Sequence, residues 1–291
     1  LRFCVVPAPL SIYAGIAKLP AGHLVSIPLP LAPGLPLPAS QPWWNFSAVI
    51  EAGNAAPFRS EPEALAALEN SLSQAVAEQA IADVPLGAFL SGGIDSSLIT
   101  ALLQAQSSRP VRTFTIGFAE AGFNEAPYAR AVAEHLGTEH SEILLSSGDA
   151  RALIPQLPQL YSEPFADSSQ LPTHLVCHAA RQAGLTVALS GDGGDELFCG
   201  YNRYLWSPRI WNCLAWLPAP LRRSLGRAIT AVPPLAWDTF GQPLPIRQLG
   251  HKAHKLAARL QHVRSNDDLY RWLVSEWRDP AALLQGPPPE M

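Results

Sequence analysis

Short apolar runs, each followed by a turn and then by apolar positions at helical spacing, recur through the middle of the chain. Leu86 to Leu90 is the first such run, and VRTFTIGF (111–118), SEILLS (141–146) and LTVALS (185–190) follow it. Leu98, Ile99, Leu102 and Leu103 predict a helix after the first run. Glu125 to Leu136 is amphipathic and closes at Gly137; Leu171 to Ala183 closes at Gly184. Ala150 to Leu160 is weakly helical, broken by Pro155 and Pro158. Buried strands alternating with helices of this length predict an α/β fold with a doubly wound parallel sheet. Upstream, Ser60-Glu61-Pro62-Glu63 resembles a capping box opening a helix to about Ala82, with Leu65, Leu68, Leu72 and Val76 on its core face. From Tyr201 onward the pattern is helical. Residues 1–29 are short extended pieces, and 28–42 read as a proline-rich linker.

Composition narrows the class. The chain has 291 residues, 48% hydrophobic and 15% charged, with a net charge of −4. That is a globular balance, and no basic stripe points to nucleic acid. No apolar run reaches the roughly 18 residues a membrane span needs. Cys4, Cys177, Cys199 and Cys213 form no C-x-x-C pair and are expected as reduced, mostly buried thiols of a cytoplasmic protein. The chain begins with Leu1 and closes on GPPPEM, so both ends are expected to be cut from a longer parent.

Chemistry concentrates in two loops. SGGIDSS (91–97) follows a buried strand and opens a helix. Such a turn aims backbone N–H groups at an anion where the helix dipole is positive. It lacks the Gly-Lys-[Ser/Thr] of a Walker A loop, so phosphate charge falls to amides, hydroxyls and a metal, with Asp95 as the local ligand. SGDGGDE (190–196) follows a second buried strand. Both loops lie at carboxyl ends of strands, where open α/β sheets bind ligands. Asp95 and Asp195 are thus expected to hold Mg²⁺ with phosphate oxygens. In Glu163-Pro164-Phe165-Ala166-Asp167-Ser168-Ser169, capping of the next helix by Ser168 or Ser169 competes evenly with substrate binding. His174 with His178, and His251 with His254, are read as packing or solvated helix faces.

With VPLGAFL, FTIGF, EPFADSSQLPT and LSGDGGDELFCGYNRY, the SGGIDSS loop resembles the pyrophosphate loop of N-type ATP pyrophosphatases. The set is similar to the synthetase domain of glutamine-hydrolysing asparagine synthetases, over roughly 43–280. The resemblance implies an adenine nucleotide α-hydrolase-like, Rossmann-like fold followed by a helical part. It implies residues 1–42 as the C-terminal edge of a glutaminase domain plus linker, and 43–291 as an incomplete synthetase domain. The implied reaction uses ATP and Mg²⁺ to adenylate the aspartate side chain, releasing pyrophosphate; ammonia from glutamine then displaces AMP. A sugar-acid amidotransferase and a catalytically silent ATP-binding protein stand as alternatives.

By the same resemblance, Ser91, Gly92, Gly93, Asp95, Ser96 and Ser97 would cradle pyrophosphate. Phe89 and Ile116 would line the adenine and ribose pocket, and Ser190 and Gly191 would contact the nucleotide through backbone. Asp192, Asp195 and Asp95 would be catalytic, Asp95 and Asp195 metal ligands, and Asp167 and Ser168 substrate contacts. Three features depart from the family. Asp192 stands where many members carry Glu, one methylene longer. No N-terminal cysteine nucleophile is present, because Cys4 is internal, and Lys252 and Lys255 do not sit in the family's lysine motif. A glutaminase domain or subunit is the implied partner, with a homodimer admitted but not required.

Overall fold

Gly22 is where the chain first closes on itself. Its φ of +69° is left-handed, and the main chain of Trp44 passes against it with no room for a Cβ. There β1 (His23–Leu24) pairs antiparallel with β2 (Gln41–Pro42), the latter at the end of the stretch expected as linker. The computed structural model describes residues 3–30, 38–118, 124–240, 249–260 and 263–275; the central part of the proline-rich stretch lies outside them. These residues divide into two compact units. Cys4–Asp192 forms one, and Phe3 with the residues from Gly193 onward forms the other.

In the first unit α1 (Phe46–Ala55) is capped by Asn45 and buries none of its residues. Next, α2 (Glu61–Gln79) starts at the expected Ser60 cap. Glu63 reaches back to the Arg59 N–H (2.9 Å), one residue before the position a strict capping box would use. The expected core stripe holds at one end only. Val76 is buried, Leu68 and Leu72 are half-buried and Leu65 is exposed, because α2 packs on the core through Val76 near its C-terminal end.

The sheet strands and their crossovers follow in order: β3 (Leu86–Phe89), α3 (Ile94–Gln106), β4 (Arg112–Phe118), α4 (Ala126–Leu136), β5 (Glu139–Leu145), α5 (Ser147–Leu153), a 3₁₀ turn (Ile154–Gln156), α6 (Leu157–Leu160), α7 (Gln170–Gln182) and β6 (Val187–Leu189). The strand order is β5-β4-β3-β6, and every pairing in this sheet is parallel. Chain order reverses between β3 and β6, which makes their boundary the switch point.

Helices cover both faces, as the alternating pattern predicts. On one face Ala88 packs with Val76, Leu103 and Val111, and Leu90 with Ala129 and Ala133. On the other, Phe114, Ala180 and Leu185 gather Phe89, Ile143 and Val176. Gly137 (φ +70°) closes α4 as a left-handed cap. The second unit is helical, as expected: α8 (Gly194–Phe198), α9 (Asn202–Leu214), α10 (Ala219–Ala231), α11 (Pro234–Phe240), α12 (Leu249–Leu260) and α13 (Asn266–Leu273).

Two expectations are corrected. The thiols are free but not mostly buried: Cys177, Cys199 and Cys213 are exposed and Cys4 is half-buried. His254 is not on a solvated face; its Nε2 lies 2.6 Å from the Val232 carbonyl. No helix among the described residues is long and apolar enough to cross a membrane.

Candidate active site

The loop after β3 is tied by its own serines. The Ser91 N–H donates to Ser96 Oγ (3.1 Å), the two hydroxyls lie 2.9 Å apart, and the Gly93 N–H donates to Ser91 Oγ (3.2 Å). Ser96 Oγ also reaches the Gly93 carbonyl at 3.3 Å. Gly92 turns the chain at φ +78°, and a Cβ there would sit 2.6 Å from Tyr128 Cβ and 2.7 Å from the Ala129 N. Both the left-handed conformation and the close approach of α4 therefore demand glycine.

The turn delivers an open helix N-terminus. Gly93, the N-cap residue of α3, supplies no side-chain cap. N–H groups of the first turn then keep unused donor capacity beside the positive end of the helix dipole. Asp95 and Ser96 stand in that turn, half-buried. Ser97 Oγ is buried and has no hydrogen-bond partner. An orphaned hydroxyl at an uncapped helix start is costly unless a ligand satisfies it. On that ground the residues fit a phosphate group.

The second loop arrives at the same place. Because β6 pairs directly with β3, Gly191 lies against the start of α3; a Cβ there would be 2.7 Å from the Ser96 N and 2.9 Å from Asp95 Cβ. Ser190 Oγ donates to Asp192 Oδ2 at 3.0 Å and accepts from the Asp192 N–H at 3.4 Å, which folds the Asp192 carboxylate back onto its own loop. The first unit thus brings Ser91–Ser97 together with Ser190–Asp192.

Phe89 is paired opposite Phe114 and packs in the apolar cluster on the α7 face. Ile116 lies two residues beyond Phe114 on the same face and pairs with Ile143. Asp195 belongs to the second unit. It stands in the first turn of α8, with its carboxyl group against Gly200. Beside it the Tyr201 hydroxyl donates to Glu196 Oε1 at 2.8 Å, and that bond pushes the Tyr201 pKa up to about 12. The Arg203 guanidinium covers the Tyr201 ring at 3.9 Å. Sequence reasoning did not single out Tyr201, Glu196 or Arg203. The signal for Glu196 was the last position of SGDGGDE itself, and for Tyr201 and Arg203 the aromatic and charged run that follows it.

Of the acceptor candidates, Asp167 turns the approach to α7: its Oδ1 accepts from the Ser169 N–H (2.8 Å) just before the helix, while Ser169 holds the N-cap position without a side-chain cap bond. Ser168 is exposed. His178 bonds Gln182 at 2.9 Å, and the described residues hold no cluster of three or more metal-type ligands.

A parallel sheet whose switch point carries two glycine loops and an open helix start is the arrangement at which α/β proteins commonly hold anions. It belongs to the asparagine synthase family, whose match extends over residues 67–290. Over 228 residues it is 36% identical to a putative glutamine-hydrolysing asparagine synthetase of Mycobacterium tuberculosis (strain ATCC 25618 / H37Rv), which covers 78% of this chain and 33% of that protein. A second putative glutamine-hydrolysing asparagine synthetase, from Methanocaldococcus jannaschii, is 34% identical over 206 residues, covering 69% and 37%. Asparagine synthetase [glutamine-hydrolyzing] 1 of Bacillus subtilis is 37% identical over 152 residues, covering 52% and 23%. The chain therefore spans about a third of the length of the curated relatives it matches.

Proposed function

We propose that this chain is the ATP-using portion of a glutamine-dependent ligase that converts a carboxylate into an amide, with the aspartate side chain as acceptor. One observation carries the proposal: an uncapped helix start with a buried, orphaned Ser97 hydroxyl, met by the Gly191 loop. Family membership supports the reaction type.

The steps follow from charge and geometry. An acceptor carboxylate oxygen attacks the α-phosphorus of ATP, the bond to the bridging oxygen breaks, and pyrophosphate leaves with the electron pair. Amides of the α3 start and the hydroxyls of Ser91, Ser96 and Ser97 hold the departing phosphates, with stabilisation concentrated where negative charge grows. Asp95 and Asp195 are the carboxylates that would hold Mg²⁺, which would supply neutralisation of part of that charge. Phe89 and Ile116 line the base and ribose side, and Ser190 and Gly191 contact the nucleotide through backbone. Ammonia then forms the new C–N bond, AMP leaves, and the proton lost from nitrogen passes to a base. Asp192 is the local carboxylate for that role, restrained by Ser190. Asp167 and Ser168 stand on the acceptor side. Residues 1–42 are the edge of a glutaminase domain with its linker, and residues from 43 form the synthetase part.

The test is pyrophosphate release from ATP and ammonium in the full-length protein. Aspartate should stimulate it, and Asp95→Asn should lower it by at least about a hundredfold, on the scale of losing one transition-state contact, with the circular dichroism spectrum unchanged. Release with a uronic acid alone would reassign the acceptor to a sugar acid. ATP binding without turnover would leave a silent nucleotide-binding protein. Undiminished turnover in Asp95→Asn would remove the metal assignment.

A further inference from the structure

The loop that precedes α7 is held by a segment about 150 residues away in sequence. Ala166 donates its N–H to the Cys4 carbonyl at 2.9 Å. The Ile12 N–H donates to Glu163 Oε1 at 3.2 Å, and the Tyr13 hydroxyl reaches the Ser162 carbonyl at 3.5 Å. Lys18 forms an ion pair with Glu163 Oε2 and donates to the Val6 carbonyl at 2.6 Å. One lysine thus binds both the loop and its own segment. Surface ion pairs contribute little as a rule. This one differs, because the Glu163 side chain is only 14% exposed and also accepts a backbone N–H. Cys4, at the contact, is held at φ +62°, a left-handed conformation that a residue with a Cβ adopts only under constraint.

Topology says where this clasp acts. The carboxyl end of α7 lies at the amino edge of the sheet, since the Arg112 guanidinium at the start of β4 bonds the Ala183 carbonyl (2.8 Å) and β6 begins a few residues later. A helix of this length spans about 20 Å. Its amino end, with Asp167 and Ser168, therefore reaches the carboxyl edge of the strands, where the Ser91–Ser97 and Ser190–Asp192 loops stand.

We propose that Lys18 and Glu163 are positioning residues: the 4–18 segment clamps residues 161–166 so that Asp167, Ser168 and the first turn of α7 are fixed for the acceptor. This rests on the acceptor role given to that loop above. The clasp touches neither glycine loop, so its loss should loosen acceptor binding and spare ATP.

Two measurements on the full-length protein decide it. Lys18→Met should speed amide hydrogen exchange over residues 161–169 and leave residues 86–97 unchanged. It should raise the aspartate KM about tenfold while kcat and the ATP KM stay within about twofold, and Lys18→Arg should restore the wild-type value. Glu163→Gln, which keeps an acceptor for Ile12 but loses the charge, should fall between them. Unchanged exchange in the loop overturns the clasp. Aspartate and ATP KM values rising together overturn the positioning role. If the wild-type protein turns over no acceptor, the functional reading fails on its own, and the exchange result alone decides whether Lys18 and Glu163 order the loop.

Discussion

His140 shows how one side chain couples this fold to acidity. Its Nδ1 lies 2.9 Å from the Thr113 hydroxyl, and only 9% of the side chain is exposed. Burial pushes its pKa below the ordinary value; nearby Glu142 opposes that push and Arg130 adds to it. The unfolded chain then binds a proton that the fold refuses. Stability is therefore full above the unfolded value of about 6.5 and is lost as pH falls through the lower folded value. The urea midpoint should drop between about pH 7 and about pH 5, and His140→Gln should flatten that dependence. Equal slopes in the two proteins would exclude His140 as the source. At this scale the sequence was legible where backbone geometry alone decides. Gly92 and Gly191 were chosen as glycines of the loops, and both prove to sit where a Cβ would strike main chain. It was not legible where a side chain has two uses. Asp167 and Ser169 are both good capping types, and only the turn at 167–169 decides which one accepts the bond.

Among the elements, the alternation of apolar runs and helices located β3, β4, β5, β6 and the helices between them to within a few residues, because β3, β4 and β6 pack on both faces while the edge strand β5 keeps Ile143 and Leu145 turned inward and leaves Leu144 exposed. The α2 stripe misled for the opposite reason. Helical spacing marks a face but not how far along it the sheet extends, and Leu65 lies beyond that extent. The N-terminal segment was unreadable in function because its partners at 162–166 are remote in sequence. Two glycines separate helix geometry from ligand geometry. Gly137 has open space and only its left-handed φ to lose, so Gly137→Ala should cost about 1 kcal/mol of stability and leave ATP binding alone. Gly191→Ala should weaken ATP binding at least tenfold, about 1.4 kcal/mol, because its Cβ would intrude on the α3 start. Isothermal titration beside urea unfolding distinguishes them; equal effects of the two on ATP binding would refute the assignment of Gly191.

For the molecule as a whole, the division at Asp192 and Gly193 cuts through the second motif. SGD stays with the sheet, and GGDE opens the helical unit. Of the proposed Mg²⁺ ligands, Asp95 lies in the unit that carries both glycine loops. An ATP complex that uses it should respond to the metal more than to the nucleotide alone. At a hundredfold excess over Kd, Mg·ATP should stabilise the protein by about 2.7 kcal/mol against urea. Metal-free ATP should give less, and Asp95→Asn should remove the difference. A stabilisation indifferent to Mg²⁺ would leave the nucleotide held by the glycine loops alone.

The pairing of β3 with β6 also sets a timetable. Leu86 and Val187 are neighbours in space, yet about a hundred residues of chain must emerge from the ribosome between them. Closing so long a loop is slow, and its entropy is paid before the contact returns anything. During that interval β3 has β4 on one side and a bare edge on the other, the kind of edge that recruits stray strands. The Ser91 loop exists early, but its Gly191 counterpart arrives last. Nucleotide capture should therefore report completion of the sheet, and a nascent chain stalled before residue 187 should carry the loop without the affinity.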